Sequence, residues 1–288
     1  MHDQVLAWYR THARALPWRA PGASPWGVLV SEVMLQQTPV SRVEPIWRAW
    51  MERWPTPPDL AAEEPGTAIR AWGRLGYPRR ALRLHSAAAA ITDRYDGVVP
   101  AEHAELLALP GVGEYTAAAV CAFAFGQRHA VLDTNVRRVL ARMAQGAQHP
   151  GPATTATERK LALALMPTDE ATASQWAAAV MELGALVCTA RSPRCADCPV
   201  AATCAWRRAG FPASADASRR TQAWEGTDRQ ARGRLLAALR DAQQPVTKDV
   251  LDQAWPDDPA QRERALTGLV ADALVQPLTD GRFSLPTG

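Results

Sequence analysis

LPGVGEYTAAAV, residues 109–120, is the stretch on which the reading of this chain turns. It follows one helical run and opens another. Its glycines permit a tight turn with φ > 0, and the helix after them presents backbone N–H groups with no partner inside the helix. Those donors, at the positive end of the helix dipole, suit a phosphate oxygen. A plain helix–turn–helix corner fits the same pattern. A phosphate bound there would position a nucleic-acid backbone without reading its sequence.

Outward from that corner, the chain is helical nearly throughout residues 1–209. Apolar residues recur at three and four, as in ALRLHSAAAAI and ATASQWAAAVMELGALV, with proline and glycine as punctuation. GFPASADASRRTQAWEG, residues 210–226, is polar and without period, and reads as a linker. Residues 227–288 change character. DRQARGRLLAALRD, TKDVLDQAW (with Thr247 as N-cap) and DPAQRERALTGLVADA predict three helices, and LVQPLTDGRFSLP predicts a hairpin around Asp280-Gly281. Three helices and a hairpin describe a small winged-helix-like domain.

The net charge is +3, which does not by itself demand nucleic acid. Only Lys160 and Lys248 are lysines, so 30 of the 32 basic residues are arginines. Base composition of the genome explains that bias better than phosphate contacts do, because alanine is abundant too. The opening MHDQVLAWYRTHAR lacks an apolar core and a cleavage site, which argues against a secreted precursor. No apolar run reaches the length of a membrane span, so the expected compartment is the cytoplasm. Thiols there stay reduced, and CTARSPRCADCPVAATC, residues 188–204, holds four of the five cysteines. Their gaps of six, two and five residues indicate a four-sulfur metal centre, zinc or iron–sulfur, with disulfides a poor third. Cys121, inside AAAVCAFAF, reads as a buried small hydrophobe.

Two carboxylates invite chemistry. Glu32, in VLVSEVMLQQTPV, is flanked by Val30, Val33, Met34 and Leu35, a setting that raises a carboxyl pKa and suits a general acid. A solvent-facing glutamate at a helix start is the plainer alternative. Asp133, in VLDTNVRRVLAR, reads first as a helix N-cap and second as a carboxylate held at a reactive site. RLGYPRRALRLH interleaves Tyr77 with Arg79, Arg80 and Arg83, which suits phosphates and a stacked base, or simply a solvated face.

Taken in order, LPWR (16–19), SEVMLQQT (31–38), RLGY (74–77), LPGVG (109–113), LDTNV (132–136), MELGALVC (181–188) and the four-cysteine loop resemble the adenine DNA glycosylases of the helix-hairpin-helix superfamily. The resemblance implies a mainly α fold of two helical subdomains with an iron–sulfur loop. It implies a [4Fe–4S] cluster on Cys188, Cys195, Cys198 and Cys204, and a loop that turns Arg191 and Arg194 toward phosphates. Glu32 becomes the acid that protonates adenine and later activates water, and Asp133 the carboxylate that stabilises the sugar cation. Tyr115 supports them and Asn135 sits beside the sugar. Trp18, Arg19 and Glu182 line the pocket for the flipped base, Gln37 and Tyr77 enter the duplex, and the hairpin Gly111-Val112-Gly113 grips the backbone. The expected partner is double-stranded DNA with adenine opposite 8-oxoguanine or guanine, met by a monomer at the nucleoid.

Bifunctional relatives carry a Schiff-base lysine two residues after the hairpin glycine. Tyr115 stands there, and neither Lys160 nor Lys248 is near it in sequence, so a monofunctional enzyme is expected. Residues 227–288 are too short and too helical for the Nudix-like domain of typical bacterial members. Arg229, Arg232, Arg234 and Arg240 on its first helix, and Arg262 and Arg264 on its third, predict supporting phosphate contacts, while a winged helix also serves as a protein-docking surface. The rival readings are a thymine or uracil mismatch glycosylase of the same superfamily and a non-catalytic DNA-binding protein.

Overall fold

The structure, a computed structural model, describes residues 1–213 and 225–287. In chain order the helices are α1 (His2–His12), α2 (Pro25–Leu35), α3 (Val40–Arg53), α4 (Pro57–Ala61), α5 (Pro65–Trp72), α6 (Arg79–Arg94), α7 (His103–Leu107), α8 (Glu114–Phe125), α9 (Thr134–Leu140), α10 (Ala156–Leu165), α11 (Glu170–Leu186), α12 (Ala205–Arg208), α13 (Asp228–Asp241), α14 (Lys248–Ala254) and α15 (Pro259–Ala271). Strands β1 (Gln276–Pro277) and β2 (Phe283–Ser284) complete the set. Among the described residues no helix is long and apolar enough to cross a membrane.

The chain divides into two compact units that are not contiguous in sequence. The first comprises Met1–Glu32, Ala101–Ala108 and the described part of Val112–Ser218. Its core joins Val5 and Trp8 of α1 to Val136 and Val139 of α9 and to Trp176, Val180 and Leu183 of α11. α8 is apolar on nearly every side, and its alanines Ala117, Ala118, Ala119 and Ala122 are buried, so α8 lies inside the unit rather than on it. Cys121 is fully buried there, its thiol directed at the Ala101 carbonyl, as expected of a small hydrophobe. α11 starts on an N-cap, Asp169 accepting from Thr172 N–H at 2.9 Å. Gly184 then lets α11 approach α9, since a Cβ there would stand 2.7 Å from the Cβ of Asn135.

The second unit comprises Val33–Pro100, Leu109–Gly111 and the described part of Arg219–Gly288. Trp50, Trp54 and Trp72 are fully buried and meet edge to face, with centroids 4.9 and 5.6 Å apart. Arg80 of α6 is also buried. It donates to the carbonyls of Val33, Met34, Gln36 and Gly76 and to Thr38 Oγ1, at 2.6–3.1 Å. Those carbonyls close α2 and the turn before α6, so one guanidinium supplies the donors that two chain ends lack. Burial pulls its pKa to about 10, which leaves it charged at neutral pH.

The tail follows the order read from its sequence: α13, α14 with Thr247 at its N-cap position, α15 with Asp258 and Pro259 at its start, then an antiparallel hairpin. Gln276 pairs with Ser284 and Pro277 with Phe283, Gly281 takes φ +78 in the turn, and Val246 bridges Phe283. Thr247 differs from expectation in one respect: its side chain makes no cap hydrogen bond. The contact units also cut the chain differently from the linear order of residues 1–209 and 227–288, since the tail falls with residues 33–100. Residues 214–224 of the expected linker lie outside the described residues.

Candidate active site and iron–sulfur loop

α2 (PWGVLVSEVML) is too apolar to leave a face for solvent, and Trp26, Leu29 and Val30 are buried with it. Glu32 is carried inside, only 4% exposed, which removes the solvent-facing alternative. Burial raises its pKa to about 7. The hydrogen bond from Tyr115 and the charge of Arg19 pull the other way, and Asp133 adds to the rise. Tyr115 lies in the first turn of α8, whose N-cap is Gly113, and its hydroxyl donates to Glu32 Oε2 at 2.8 Å. Burial drives the phenol well above its ordinary pKa, so it stays a donor.

Asp133 is both a cap and a member of this group. Its Oδ1 accepts from Val136 N–H at 2.6 Å, which starts α9, and its Oδ2 accepts from Asn135 Nδ2 at 2.8 Å. Burial raises its pKa too, while both of those donors favour the charged form. The two carboxylates thus sit in unequal company: one phenol donates to Glu32, and a backbone and a side-chain amide donate to Asp133.

Glu182, on α11, is fully buried and wholly engaged. Arg14 donates to it from Nε (2.6 Å), Nη2 (2.9 Å) and its backbone N–H (3.0 Å), and Arg19 from Nη1 (2.8 Å). Desolvation works against the charge, but the Arg14 hydrogen bonds and the Arg19 charge outweigh it and hold the carboxyl at about 2. Glu182 is therefore an anion that fixes Arg19, whose charge reaches Glu32 in turn. Trp18, buried, precedes Arg19 in a short 3₁₀ turn, Pro17–Arg19. Arg14 escaped the sequence reading because it lies outside the LPWR motif.

All five cysteines are free thiols, which disposes of disulfides. Cys188, Cys195, Cys198 and Cys204 line one pocket together with Arg142 and Trp206. Among the described residues no three His, Cys, Asp or Glu side chains are grouped as they would be around a single ion. Four cysteines on one pocket supply the four thiolates that an iron–sulfur cluster takes. Arg142, 1% exposed, lies 3.4 Å from Cys188 Sγ, donates to the carbonyls of Thr189 and Ala190, and stacks on Trp206 at 4.6 Å. Its charge suits an anionic thiolate-bound cluster. Arg138 reaches from Asn135 Oδ1 (2.8 Å) to the Cys188 carbonyl (2.7 Å) and so ties α9 to the loop. Neither arginine stood out in the sequence, where RRVLARM looks like an ordinary charged face.

Of the residues expected to meet DNA, Gln37 and Tyr77 lie in the second unit, and both are exposed with φ at +57 and +49. A non-glycine residue in that region costs about 1 kcal/mol or more, so both turns are held by their surroundings. Gly111 has φ +77, and a Cβ on it would stand 2.6 Å from that of Arg83. Val112 is buried, and Gly113 opens α8. Arg191 is exposed, while Arg194 turns back to donate to the Leu186 carbonyl at 2.8 Å.

The "HhH-GPD superfamily base excision DNA repair protein" model matches residues 30–164, and the "iron-sulfur binding domain of endonuclease III" model matches residues 188–204. The four cysteines therefore form a [4Fe–4S] site. Purified protein should be brown with about four irons per chain; a colourless protein carrying one zinc would contradict the assignment. Adenine DNA glycosylase of Mycolicibacterium smegmatis is 56% identical over 282 residues, covering 98% of this chain and 94% of the relative, so the similarity runs through the tail. The human adenine DNA glycosylase is 41% identical over 215 residues, covering 71% of this chain and 39% of its own length. A solved thermostable thymine-DNA glycosylase superposes with a TM-score of 0.66 at 27% identity, covering 72% of this chain and 95% of that one. Endonuclease III trapped on DNA as a covalent intermediate shares the fold, with a TM-score of 0.62 at 24% identity over 73% of this chain and 95% of that one. With its helical fold, its hairpin and its four-cysteine loop, the chain belongs to the adenine DNA glycosylases of the helix-hairpin-helix base-excision-repair superfamily.

Proposed function

We propose that this enzyme hydrolyses the N-glycosidic bond of adenine mispaired with 8-oxoguanine or guanine, without lyase chemistry. The observation that carries the reading is the buried pair itself: Glu32, with a pKa of about 7 and a phenol donating to it, in the electrostatic reach of Asp133. Adenine leaves poorly as an anion. Protonated on its ring by Glu32, it leaves neutral, taking the electron pair of the C–N bond. The sugar then carries oxocarbenium-like charge, which Asp133 offsets from the amides of Val136 and Asn135. Water adds to the sugar, the Glu32 carboxylate takes its proton, and the acid is restored.

The bond is out of reach inside the stack, so the adenosine must be flipped. Trp18 and Arg19 are assigned to the flipped base, with Glu182 in the same pocket wall fixing Arg19, and Gln37 and Tyr77 to the gap it leaves. Gly111, Val112 and Gly113, with Arg191 and Arg194, are assigned to the backbone. The cluster holds the 188–204 loop when bound. The tail, residues 227–288, is read as a winged-helix-like appendage. The enzyme works on chromosomal DNA as a monomer at the nucleoid.

A panel of A·8-oxoguanine, A·guanine, T·guanine and U·guanine duplexes tests the substrate. Release of adenine from the first two alone is expected; release of thymine or uracil would support the mismatch-pyrimidine reading, and no release on any duplex a purely DNA-binding role. The product strand should stay intact until alkali or heat, because Tyr115 cannot form an imine. Borohydride trapping of a stoichiometric covalent complex would overturn the monofunctional assignment.

A further inference from the structure

Each carbonyl of the turn that carries Tyr77, Gly73–Tyr77, accepts a hydrogen bond from within the protein. Arg240 donates to Gly73, Arg42 to Arg74, Thr38 to Leu75 at 3.4 Å, and both Trp72 and Arg80 to Gly76 at 3.0 Å. The Tyr77 carbonyl accepts from Arg80 N–H at 3.0 Å. One of these donors, Arg240, belongs to α13 of the tail. A second tail residue, Arg229, lies with its guanidinium carbon 5.0 Å from the centre of the Tyr77 ring, and Arg80 approaches the same ring at 5.4 Å. Tyr77 is 46% exposed all the same.

Around this turn the tail is fastened at further points. Arg70 donates to the Ala242 carbonyl at 2.8 Å, Gly66 N–H to the Pro286 carbonyl at 2.8 Å, and Arg79 pairs with Asp272 at 3.2 Å. Arg232 also turns to Asp272, Arg262 to Asp252 and Arg264 to Asp228. Much of the charge expected to meet phosphates is thus engaged within the protein.

We propose that the tail is part of the element that enters the duplex: Arg240 fixes the turn and Arg229 holds the ring of Tyr77, so both are positioning residues for the wedge. This rests on the reading of Tyr77 as an inserted residue. A ring approached by two guanidiniums through cation–π attraction keeps one orientation before DNA arrives, and binding then does not spend free energy on ordering it. The tail's effect on DNA binding therefore runs through Tyr77 rather than through its own phosphate contacts.

A double-mutant cycle in the full-length chain tests this, with Arg229→Ala, Tyr77→Ala and the pair. The measurements are affinity for an A·8-oxoguanine duplex across a salt series and single-turnover adenine release. Arg229→Ala alone should weaken binding about fivefold, the size of an exposed cation–π contact, with the salt slope unchanged. In the Tyr77→Ala background the same change should have less than about a third of that effect. Equal loss in both backgrounds, with the salt slope reduced by about one unit, would make Arg229 a phosphate contact and overturn the proposal. No loss in Arg229→Ala would overturn it too. Wild-type binding and release by Tyr77→Ala would overturn the insertion reading, and the proposal with it. Both changes are at exposed side chains, and unchanged thermal midpoints would confirm intact folding.

Discussion

Glu32→Gln is expected to bind an A·8-oxoguanine duplex as tightly as the wild type and to release adenine about 10³–10⁴-fold more slowly, the upper range for loss of a general acid. The amide keeps the volume and still accepts from Tyr115, but it has no proton to give. The same variant should be more stable than the wild type at alkaline pH. Glu32 has its pKa raised from 4.5 to about 7 in the folded state, so the folded chain holds the proton longer than the unfolded chain does. Stability is then complete below about pH 4.5 and lost as pH rises through about 7, to a limit of about 3 kcal/mol. Gln removes that dependence. Substantial turnover by Glu32→Gln would show that another group is the acid, and an alkaline stability below that of the wild type would contradict the buried-carboxyl account.

The second large effect belongs to Asp133. Asp133→Asn should slow adenine release by about a thousandfold, the scale of losing an electrostatic stabiliser aimed at developing charge. Its cost in stability should be under about 1 kcal/mol, because asparagine caps a helix nearly as well as aspartate. The comparison separates the two roles that the structure gives this residue. A helix cap alone would leave the rate untouched, and a rate loss explained by unfolding would bring a matching fall in thermal midpoint.

Much of this was legible in the sequence because local chemistry dictates it. Asp133 before Thr134-Asn135-Val136 has the pattern of a cap, and Asp258 followed by Pro259 has that of a helix start, its side chain capping and the proline fixing the first φ. The apolar neighbours of Glu32 pointed to burial but left a solvent-facing helix start open; α2, apolar from Pro25 onward, decides between them. The cysteine loop was legible from spacing, although its metal was not until the motifs were read together. The arginines engaged inside the fold were hidden. Arg14, Arg80, Arg138 and Arg142 sit at helical spacing among other charges, which is how a solvated face looks. Their destinations are carbonyls at chain ends and a buried carboxylate, distant in sequence. The left-handed backbones of Gln37 and Tyr77 were hidden likewise, because neither residue type favours φ > 0 and only tertiary contacts impose it. The tail's attachment to residues 66–79 depends on pairs some 170 positions apart, such as Arg70 with Ala242.

The central claim is that a protonated Glu32 starts the reaction, and the pH dependence of single-turnover adenine release from an A·8-oxoguanine duplex tests it most directly. With the acid titrating at about 7, the rate should be level below that pH and should fall about tenfold per unit well above it. A rate constant unchanged between about pH 6 and 9, measured below saturation so that the titration of the free enzyme is read, would contradict the account.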